Sequence, residues 1–277
     1  MYMSEFDIVY ISYDEPNCEE HWADLRRKAP WARRVHGVKG FDAAHKAAAE
    51  EASTDFFITV DGDNKVEPSF LEAKIDDHLV IEDHVLSFAS KNNINGLIYG
   101  NGGLKIWPRK YVQNMSFHER ENGESIVDFC WADEYKQKNI LSSENFQNGS
   151  AYQAFRAGFR EGVKMSLDRG NRIDPEMFSQ KIVKDNLIRL KIWCTIGADV
   201  EYGDWAIYGA RLGAYKTICT DWDHTLIKDY DWFSVYWEDI DQEPKSIEVM
   251  AHLNQRVGLG IVDYDKDQSL FYKETQL

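Results

Sequence analysis

The chain has 277 residues, of which 43% are hydrophobic, and its 32 basic and 47 acidic side chains give a net charge of −15. This composition is typical of a packed globular protein, and it argues against a membrane span because no stretch approaches the roughly 20 apolar residues that a span needs. An acidic chain also repels nucleic acid at long range, so such a partner would need a local basic patch. Two short basic clusters are present: Arg26, Arg27, Lys28 with Arg33 and Arg34, and Lys105, Arg109 with Lys110.

The beginning of the chain and its cysteines indicate the compartment. The first residues run directly into an apolar strand, without the basic start and cleavage site of a signal peptide. The cysteines are isolated from one another, at Cys18, Cys130, Cys194 and Cys219. We therefore expect a cytoplasmic protein with reduced thiols.

The N-terminal half alternates between strand and helix patterns. Apolar β-branched runs predict strands, stretches rich in alanine and glutamate predict helices, and Pro or Gly separates them. In chain order these segments are a strand at 6–12, a helix at 19–28, a strand at 33–38, a helix at 43–52 and a strand at 55–60. This order predicts an α/β fold with a mostly parallel, doubly wound sheet flanked by helices.

The rest of the chain predicts several strands and then helices. Strands are expected at 83–90, 96–99 and 103–107, and helices at 150–165, 185–191 and 206–215. Gly209 and Gly213 favour close packing of the last helix on a neighbour, and 215–220 has the character of another strand. No repeat or linker interrupts the sequence, which favours one continuous domain.

The sequence Asp61-Gly62-Asp63 follows the most hydrophobic strand of the N-terminal half. Parallel α/β sheets bind ligands at the carboxyl ends of their strands, and Gly62 gives the turn freedom to direct two carboxylates to one point. Such oxygen ligands suit Mg²⁺ and Mn²⁺, which keep coordination positions for phosphate oxygens. We expect a divalent cation here that bridges a diphosphate; a polar turn that only caps the strand is the alternative.

This frame resembles the nucleotide-binding half of GT-A glycosyltransferases. The resemblance rests on Ser12-Tyr13-Asp14-Glu15 after the first strand, on Val38-Lys39-Gly40 before an alanine-rich helix, and on the sequence FFITVDGDN. It implies a single GT-A-like domain over 1–277, with a nucleotide-sugar-binding half at 1–110 and an elaborated acceptor-binding half at 111–277. It also implies a UDP-sugar donor and Mn²⁺ or Mg²⁺ held by Asp61 and Asp63, which would neutralise charge on the leaving diphosphate.

The same resemblance implies which residues hold the donor. The loop Ser12-Tyr13-Asp14-Glu15 after the first strand would bind the base and ribose, and the segment Val38-Lys39-Gly40 would border them. Gly62 belongs to the diphosphate turn. His45, one turn into the following helix, would reach the pyrophosphate, and a plain surface histidine is an equally good interpretation.

Four stretches are similar to a narrower group, the phage branch of TET-associated and related DNA-modifying glycosyltransferases. They are VHGVKGFDAAHKAAAEEA, GNGGLKIWPRKY, AFRAGFREGVKM and GADVEYGDWAIYGARLG. Members place a sugar on the hydroxymethyl group of modified pyrimidines, so the similarity implies hydroxymethylated DNA as the partner and 5-hydroxymethylcytosine as the acceptor. A saccharide or a small metabolite is the alternative acceptor.

The segment at 101–107 is suited to contact the sugar or the acceptor. Gly102 and Gly103 permit close backbone approach, Lys105 adds a cation, and Trp107 offers a stacking face. A hairpin with a core tryptophan is the alternative interpretation.

An inverting transferase needs a carboxylate as general base, whereas a retaining one needs none. Asp128 and Glu161 are the candidates. Asp128 is predicted within an apolar strand, where burial raises a carboxyl pKa. Glu161 follows Arg156 and Arg160 on one helix, which fits a salt bridge to a neighbour equally well, and Arg160 is also a candidate to bind phosphate.

A late histidine, His224, is the third metal ligand that the GT-A resemblance implies, with a surface-loop histidine as the alternative. The surrounding sequence YKTICTDWDHTL also resembles the Asp-x-Asp-x-Thr signature of haloacid-dehalogenase phosphatases, with Asp221 as nucleophile, Asp223 as acid and Thr225. That fold needs much more chain after the signature than the 52 residues present here.

A binding protein without catalysis and a nucleotidyltransferase are two further alternatives. The intact Asp61-Gly62-Asp63 turn argues against the first, and the acidic, glycine-free loop at 14–17 argues against the second.

Overall fold

The computed structural model describes residues 1–80, 84–100, 102–116 and 129–275. The chain forms two compact units. The first unit comprises Met1–Asn93 and Leu97–Phe146, and the second comprises Ile94–Gly96 and Gln147–Leu277. The first unit thus extends past residue 110, where the predicted nucleotide-sugar-binding half ends.

The first unit contains an eight-stranded sheet with helices on its faces. The strands are β1 (Asp7–Ser12), β2 (Arg33–His36), β3 (Phe56–Asp61), β4 (Asn64–Val66), β5 (Val85–Asn92), β6 (Ile98–Tyr99), β7 (Lys105–Pro108) and β8 (Tyr135–Asn145). Their order is β2-β1-β3-β7-β5-β8-β4, with β6 beside β5.

The sheet is mixed, so the prediction of a mostly parallel sheet is wrong. β1 runs parallel to β2 and β3, and β5 runs parallel to β8. β7 lies between β3 and β5 and is antiparallel to both, and the β4–β8 and β5–β6 pairs are antiparallel as well. The α/β class holds, because the chain before β4 does alternate strand and helix as the sequence predicts.

The helices divide between the units. Those of the first unit are α1 (Cys18–Lys28), α2 (Phe41–Glu51), α3 (Pro68–Glu72) and α4 (Arg109–Asn114). Those of the second are α5 (Ala151–Met165), α6 (Phe178–Lys181), α7 (Lys184–Trp193), α8 (Gly203–Cys219), α9 (Tyr230–Glu238), α10 (Ser246–Val257) and α11 (Lys266–Thr275). None of them, in the described ranges, is long and apolar enough to cross a bilayer.

Both faces of the sheet are buried, which explains the continuous apolar runs of its strands. Side chains alternate along a strand, so Ile8 and Tyr10 of β1 enter one core cluster while Val9 enters the other. The first cluster packs against Leu25 of α1, and the second packs against Ala48 of α2.

The sheet curls back on itself at the Asp61-Gly62-Asp63 turn. β3 ends at Asp61 and β4 begins at Asn64, yet three other strands separate β3 from β4 in the sheet order. Consecutive Cα atoms are about 3.8 Å apart, so Asp61 and Asn64 are at most about 11 Å apart. The sheet must therefore curve from β3 through β7, β5 and β8 until β4 comes back close to β3. The Asp61-Gly62-Asp63 turn connects these two strands.

The second unit is built around the pair α5 and α8. Helix α5 begins where Ser150 accepts a hydrogen bond from the Gln153 backbone N–H at 3.1 Å. The helices approach closely through glycines: a Cβ at Gly158 would collide with the Ala206 carbonyl, and one at Gly209 would collide with the Phe155 carbonyl. The predicted close packing of the helix that contains Gly209 is thus confirmed.

The prediction of a strand at 215–220 is wrong. Tyr215 to Cys219 form the last turn and a half of α8, and the chain leaves the helix at Thr220. Ile218 and Thr217 have β-branched side chains, but they continue an unbroken helix and are buried against the rest of the second unit. Packing therefore overrides their local preference for strand. Cys18, Cys130, Cys194 and Cys219, all within the described residues, form no disulfide.

Candidate functional site

The Asp61-Gly62-Asp63 turn lies at the carboxyl ends of β1 and β3. These strands are parallel, with Ile11 opposite Asp61, so Ser12 and the loop after it run beside the turn. A Cβ at Gly62 would lie 3.1 Å from the Ser12 Cβ and 2.6 Å from Oε2 of Glu15. The structure thus brings together the turn and two residues of the predicted nucleotide loop, Ser12 and Glu15.

Buried side chains hold the backbone of this turn. The Gly62 carbonyl oxygen lies 2.8 Å from the Tyr10 hydroxyl and 3.0 Å from Nδ1 of His21. A carbonyl only accepts, so Nδ1 of His21 carries a proton. Burial lowers the pKa of His21, which keeps the ring neutral at pH 7. On the other side, the Asp63 carbonyl oxygen accepts from the Phe146 N–H at 2.7 Å.

The two carboxylates of the turn have different neighbours. Asp61 is 40% exposed, and its Oδ2 lies 3.9 Å from Nζ of Lys105, which is opposite Thr59 in the β3–β7 pair. Asp63 Oδ1 accepts a hydrogen bond from Nδ2 of Asn64 at 2.8 Å. The Asp61 carboxylate therefore faces Lys105 and solvent, and the Asp63 carboxylate is held by the buried Asn64 amide.

Glu15 adds a third carboxyl group beside the turn. Its Oε2 accepts a hydrogen bond from the Tyr13 backbone N–H at 2.8 Å. Burial raises the pKa of Glu15, and the nearby carboxylates of Asp61 and Asp14 raise it further. Burial is the largest cause of the raised pKa, and the contributions of Asp61 and Asp14 reflect three carboxyl groups close together at this edge of the sheet.

The donor set fits a hard divalent cation. Asp61, whose side chain is 40% exposed, and Asp63, which is half-buried, offer carboxylate oxygens in the turn after β3, and Lys105 lies 3.9 Å from Asp61. Mg²⁺ and Mn²⁺ are held by one or two carboxylates together with phosphate oxygens and water, so a pair of aspartates suffices. A cation bound there would polarise a diphosphate and stabilise it as a leaving group.

A second group of potential ligands lies at the end of β2. Ligand atoms of Cys18, Glu19 and His36 lie within 4.8 Å of one another. However, the Arg34 guanidinium occupies the centre of this group, 2.6 Å from Glu19 Oε1 and 3.2 Å from His36 Nδ1. This cation already neutralises the carboxylate, so the group is better explained as an ion-pair cluster than as a metal site.

The Ser12 hydroxyl is used within this cluster. Arg34 Nε donates to Ser12 Oγ at 3.0 Å, and Ser12 Oγ lies 3.0 Å from His36 Nδ1. Because His36 Nδ1 is also close to an Arg34 N–H, it acts as an acceptor and the hydroxyl donates to it. Ser12 is 2% exposed, and its side chain therefore positions the loop rather than presenting a free hydroxyl to a ribose.

The other predicted donor-binding residues lie on the same edge of the first unit. Tyr13 and Asp14 are exposed in the loop after β1, and Val38 is half-buried against the core cluster that contains Val9. Lys39 is exposed, and Gly40 has φ of +99° at the start of α2, a conformation that favours glycine. Their contact with a nucleotide stays a prediction.

His45 is a buried residue, so the alternative of a plain surface histidine is wrong. Its Nδ1 donates to the Phe41 carbonyl at 2.9 Å, and its ring packs 4.9 Å from that of Trp107. Burial lowers the pKa of His45 to about 4, although the Asp61 carboxylate acts in the opposite direction. At neutral pH the ring carries no charge, so any contact with a pyrophosphate would be a hydrogen bond and not an ion pair.

Trp107 is a core residue, which corrects its interpretation as a stacking face. It is fully buried, its Nε1 donates to Thr59 Oγ1 at 2.8 Å, and its ring stacks on Phe129 at 5.2 Å. Gly103 does permit a close backbone approach, but to the Phe88 carbonyl and not to a ligand. Gly102 has φ of +99°, and its carbonyl accepts from Asn64 Nδ2 at 3.1 Å.

The predicted residues of the second unit have local partners. Glu161 is buried and forms an ion pair with Lys164 one turn later, as the salt-bridge alternative predicts. Arg160 Nη1 donates to the Tyr230 hydroxyl at 3.2 Å. His224 Nε2 lies 3.1 Å from the Gly170 carbonyl. Catalysis by Glu161, phosphate binding by Arg160 and ligation by His224 stay predictions, and Asp128 lies outside the described residues.

The phosphatase-like sequence lacks the strand that its chemistry needs. Asp221 is exposed just after α8, a helix, and not after a strand. Asp223 Oδ1 accepts from the backbone N–H of Thr225 at 2.9 Å and from its hydroxyl at 2.7 Å. These bonds lower the pKa of Asp223, which is unsuitable for a general acid.

Sequence reasoning missed the residues that hold the turn in place: Tyr10, His21 and Asn64. Tyr10 and His21 reach it from β1 and α1, and these contacts join segments that are 52 and 41 residues from Gly62 in the sequence. Asn64 directly follows Asp63 in the sequence, so its position alone was a usable signal.

We also compared the chain with known proteins. A scan against models of protein families finds no match, and neither the curated proteins nor the solved structures contain a match.

Proposed function

We propose that the protein is a glycosyltransferase with a GT-A-like donor site, which uses Mn²⁺ or Mg²⁺ to transfer a sugar from a UDP-sugar to a hydroxyl group. One observation carries the proposal: Asp61 and Asp63 flank an anchored glycine at the carboxyl edge of two parallel strands. Lys105 lies 3.9 Å from Asp61 and adds a positive charge at the same edge. This combination suits a diphosphate and its cation.

The order of elements around the turn supports the same proposal. A strand, a helix, a second strand, an alanine-rich helix and a third strand lead to Asp61. Such a half-fold holds the base and ribose of a nucleotide beside the first strand. The residues that would do so here are Tyr13, Asp14 and Glu15, with Val38 to Gly40 on the neighbouring segment.

The finer part of the proposal concerns the acceptor and the compartment. Similarity of four stretches to phage DNA-modifying transferases favours 5-hydroxymethylcytosine in DNA, in the cytoplasm of the host cell. The net charge of −15 predicts weak non-specific attraction to DNA, so binding should depend on the modified base and on local basic residues. A saccharide or a small metabolite is the alternative acceptor.

Incubation with a panel of UDP-sugars and hydroxymethylated DNA tests the proposal. Nucleoside mass spectrometry should show a hexose or pentose added to the modified base, and EDTA should abolish the product. Asp63→Ala should lower turnover on the order of 100-fold or more, because it removes a ligand of the cation. Asp133→Ala changes an exposed aspartate of the same unit and should have no effect.

The outcomes separate the two parts of the proposal. Unmodified DNA in every reaction, together with Mn²⁺-dependent hydrolysis of a UDP-sugar, would remove only the DNA acceptor. If no UDP-sugar is consumed and Asp63→Ala leaves the Mn²⁺ affinity unchanged, the glycosyltransferase proposal is wrong.

A further inference from the structure

Asn64 is a buried polar residue at the candidate site to which the sequence assigns no role. It is the first residue of β4 and is 0% exposed. Its side chain bonds three partners: Nδ2 donates to Asp63 Oδ1 at 2.8 Å and to the Gly102 carbonyl at 3.1 Å, and Oδ1 accepts from the Ser143 hydroxyl at 2.6 Å. These bonds connect the Asp61-Gly62-Asp63 turn, called the acidic turn below, to the glycine segment, which is Gly102 and Gly103 before β7.

The partners determine the orientation of the amide. A carboxylate oxygen and a carbonyl oxygen can only accept, so both must face the NH₂ group of Asn64. With the amide reversed, Oδ1 would face two acceptors, and the hydrogen bonds to Asp63 and Gly102 would both be lost. Asn64 therefore holds Asp63 and Gly102 in one fixed arrangement.

The strand register places two more buried asparagines beside Asn64. Asn64 of β4 lies opposite Asn145 of β8, which in turn lies opposite Asn92 of β5. Asn92 Nδ2 donates to Asn145 Oδ1 at 3.0 Å, and all three asparagines are fully buried. A row of buried amides thus crosses three strands and ends at the acidic turn.

Gly102 lies close to the same row. A Cβ at Gly102 would be 3.8 Å from Asn145 Nδ2, and Gly102 has φ of +99°, a conformation that favours glycine. Three residues further on, Lys105 donates to the Gly103 carbonyl at 3.1 Å and faces Asp61. Asn64 thus bonds both Asp63 and Gly102, and Lys105, which follows the glycine segment, faces Asp61.

We propose that Asn64 is a positioning residue for the divalent cation: it restricts rotation of the Asp63 carboxylate and couples cation binding to order in the segment 102–105. This inference rests on the proposed function, because it assumes that Asp63 is a metal ligand. Hydrogen-bond partners of metal ligands orient them, and their loss usually weakens metal binding by about 10–100-fold.

Titration of the full-length protein with Mn²⁺, by calorimetry, tests the inference. Asn64→Ala should weaken Mn²⁺ binding about tenfold. Asn92→Ala is the matched control, because it removes an equally buried amide of the same row that does not bond Asp63, and it should change the affinity less than twofold. Hydrogen exchange should show that Mn²⁺ protects the segment 102–105 in the wild type and does so less in Asn64→Ala.

Thermal unfolding separates positioning from simple loss of stability. Both alanine variants should lower the melting temperature, whereas only Asn64→Ala should lose Mn²⁺ affinity. If Asn64→Ala does not fold, Asn64→Ser and Asn92→Ser replace the pair, and the first should still lose at least about threefold in affinity.

Three results would overturn the inference. Equal losses of affinity in the two variants would assign Asn64 a purely structural role, and unchanged affinity in Asn64→Ala would remove the role altogether. If the wild type binds no Mn²⁺ and Asp61→Asn changes nothing, the metal site itself is absent and the proposed function is wrong as well.

Discussion

Glycine serves different purposes in the two units. In the second unit, Gly158 and Gly209 face backbone carbonyls of the opposite helix, which cannot move without separating α5 from α8. In the first unit, Gly62 faces the end of the flexible Glu15 side chain at 2.6 Å and the Ser12 Cβ at 3.1 Å, and no backbone carbonyl is among these neighbours. Glycine is thus required for packing in the helix pair, whereas at the acidic turn it keeps space between carboxyl groups.

The largest effect is expected in the helix pair. Gly158→Ala places a methyl group against the Ala206 carbonyl, so it should lower the free energy of unfolding by about 3 kcal/mol, even though alanine gains about 1 kcal/mol over glycine in helix propensity. Urea unfolding followed by circular dichroism measures the loss. Ala251→Val on the exposed face of α10 should change stability by less than about 0.5 kcal/mol. A loss below 1 kcal/mol in Gly158→Ala would refute the close packing.

An intermediate effect is expected from acid, through His45 of the first unit. The folded state keeps His45 neutral down to pH about 4, whereas the unfolded chain protonates it near pH 6.5. Between these values the unfolded state binds more protons, so stability should fall as the pH falls, by about 2 kcal/mol between pH 7 and pH 4.5. The Asp61 and Asp42 carboxylates favour the charged ring, and burial with Lys105 opposes it.

Urea unfolding at pH 7 and pH 4.5 measures this contribution. His45→Gln should make the stability less dependent on pH across the window, whatever its effect at pH 7. His78→Gln, at an exposed position of the same unit, should leave the pH dependence of the wild type unchanged. Identical pH profiles for His45→Gln and the wild type would show that His45 titrates in the same way in both states.

The smallest effect on stability is expected at the acidic turn. Gly62→Ala should cost less than about 1 kcal/mol, because Glu15 can rotate away from the new methyl group. Its effect on Mn²⁺ binding should be larger, about tenfold, because the displaced carboxylate disturbs the turn. The double variant Gly62→Ala with Glu15→Ala should regain most of the affinity. Additive losses in this double-mutant cycle would show that the two residues do not interact.

The sequence predicted those elements whose signal is local. β1 and β3 are continuous apolar runs because both faces of the sheet are buried, and the helix predicted at 150–165 is α5, which begins after Ser150. The acidic turn was located for the same reason: it follows directly on a buried strand.

The features that the sequence did not predict depend on pairings between segments that are distant along the chain. β7 lies antiparallel between β3 and β5, and no local pattern distinguishes this arrangement from a parallel one. β8 escaped prediction because Ser142, Ser143 and Asn145 are polar yet buried, and hydrogen bonds to other strands compensate for their burial. Trp107 looked available to a ligand because its partners, Thr59 and Phe129, are remote in sequence.

The two-residue connection between β3 and β4 also constrains how the site is assembled. β4 is bound to the sheet through β8, and 79 residues separate Asn64 from Ser143, its hydrogen-bond partner there. Pairings across such long loops form late, because the entropy of closing the loop must be overcome first. Asp61 belongs to β3, which pairs with β1, whereas β4 and the Asn64 amide that holds Asp63 reach their final positions only after β8 has left the ribosome. A chain that ends before Tyr135 would contain both aspartates without the strand that fixes β4.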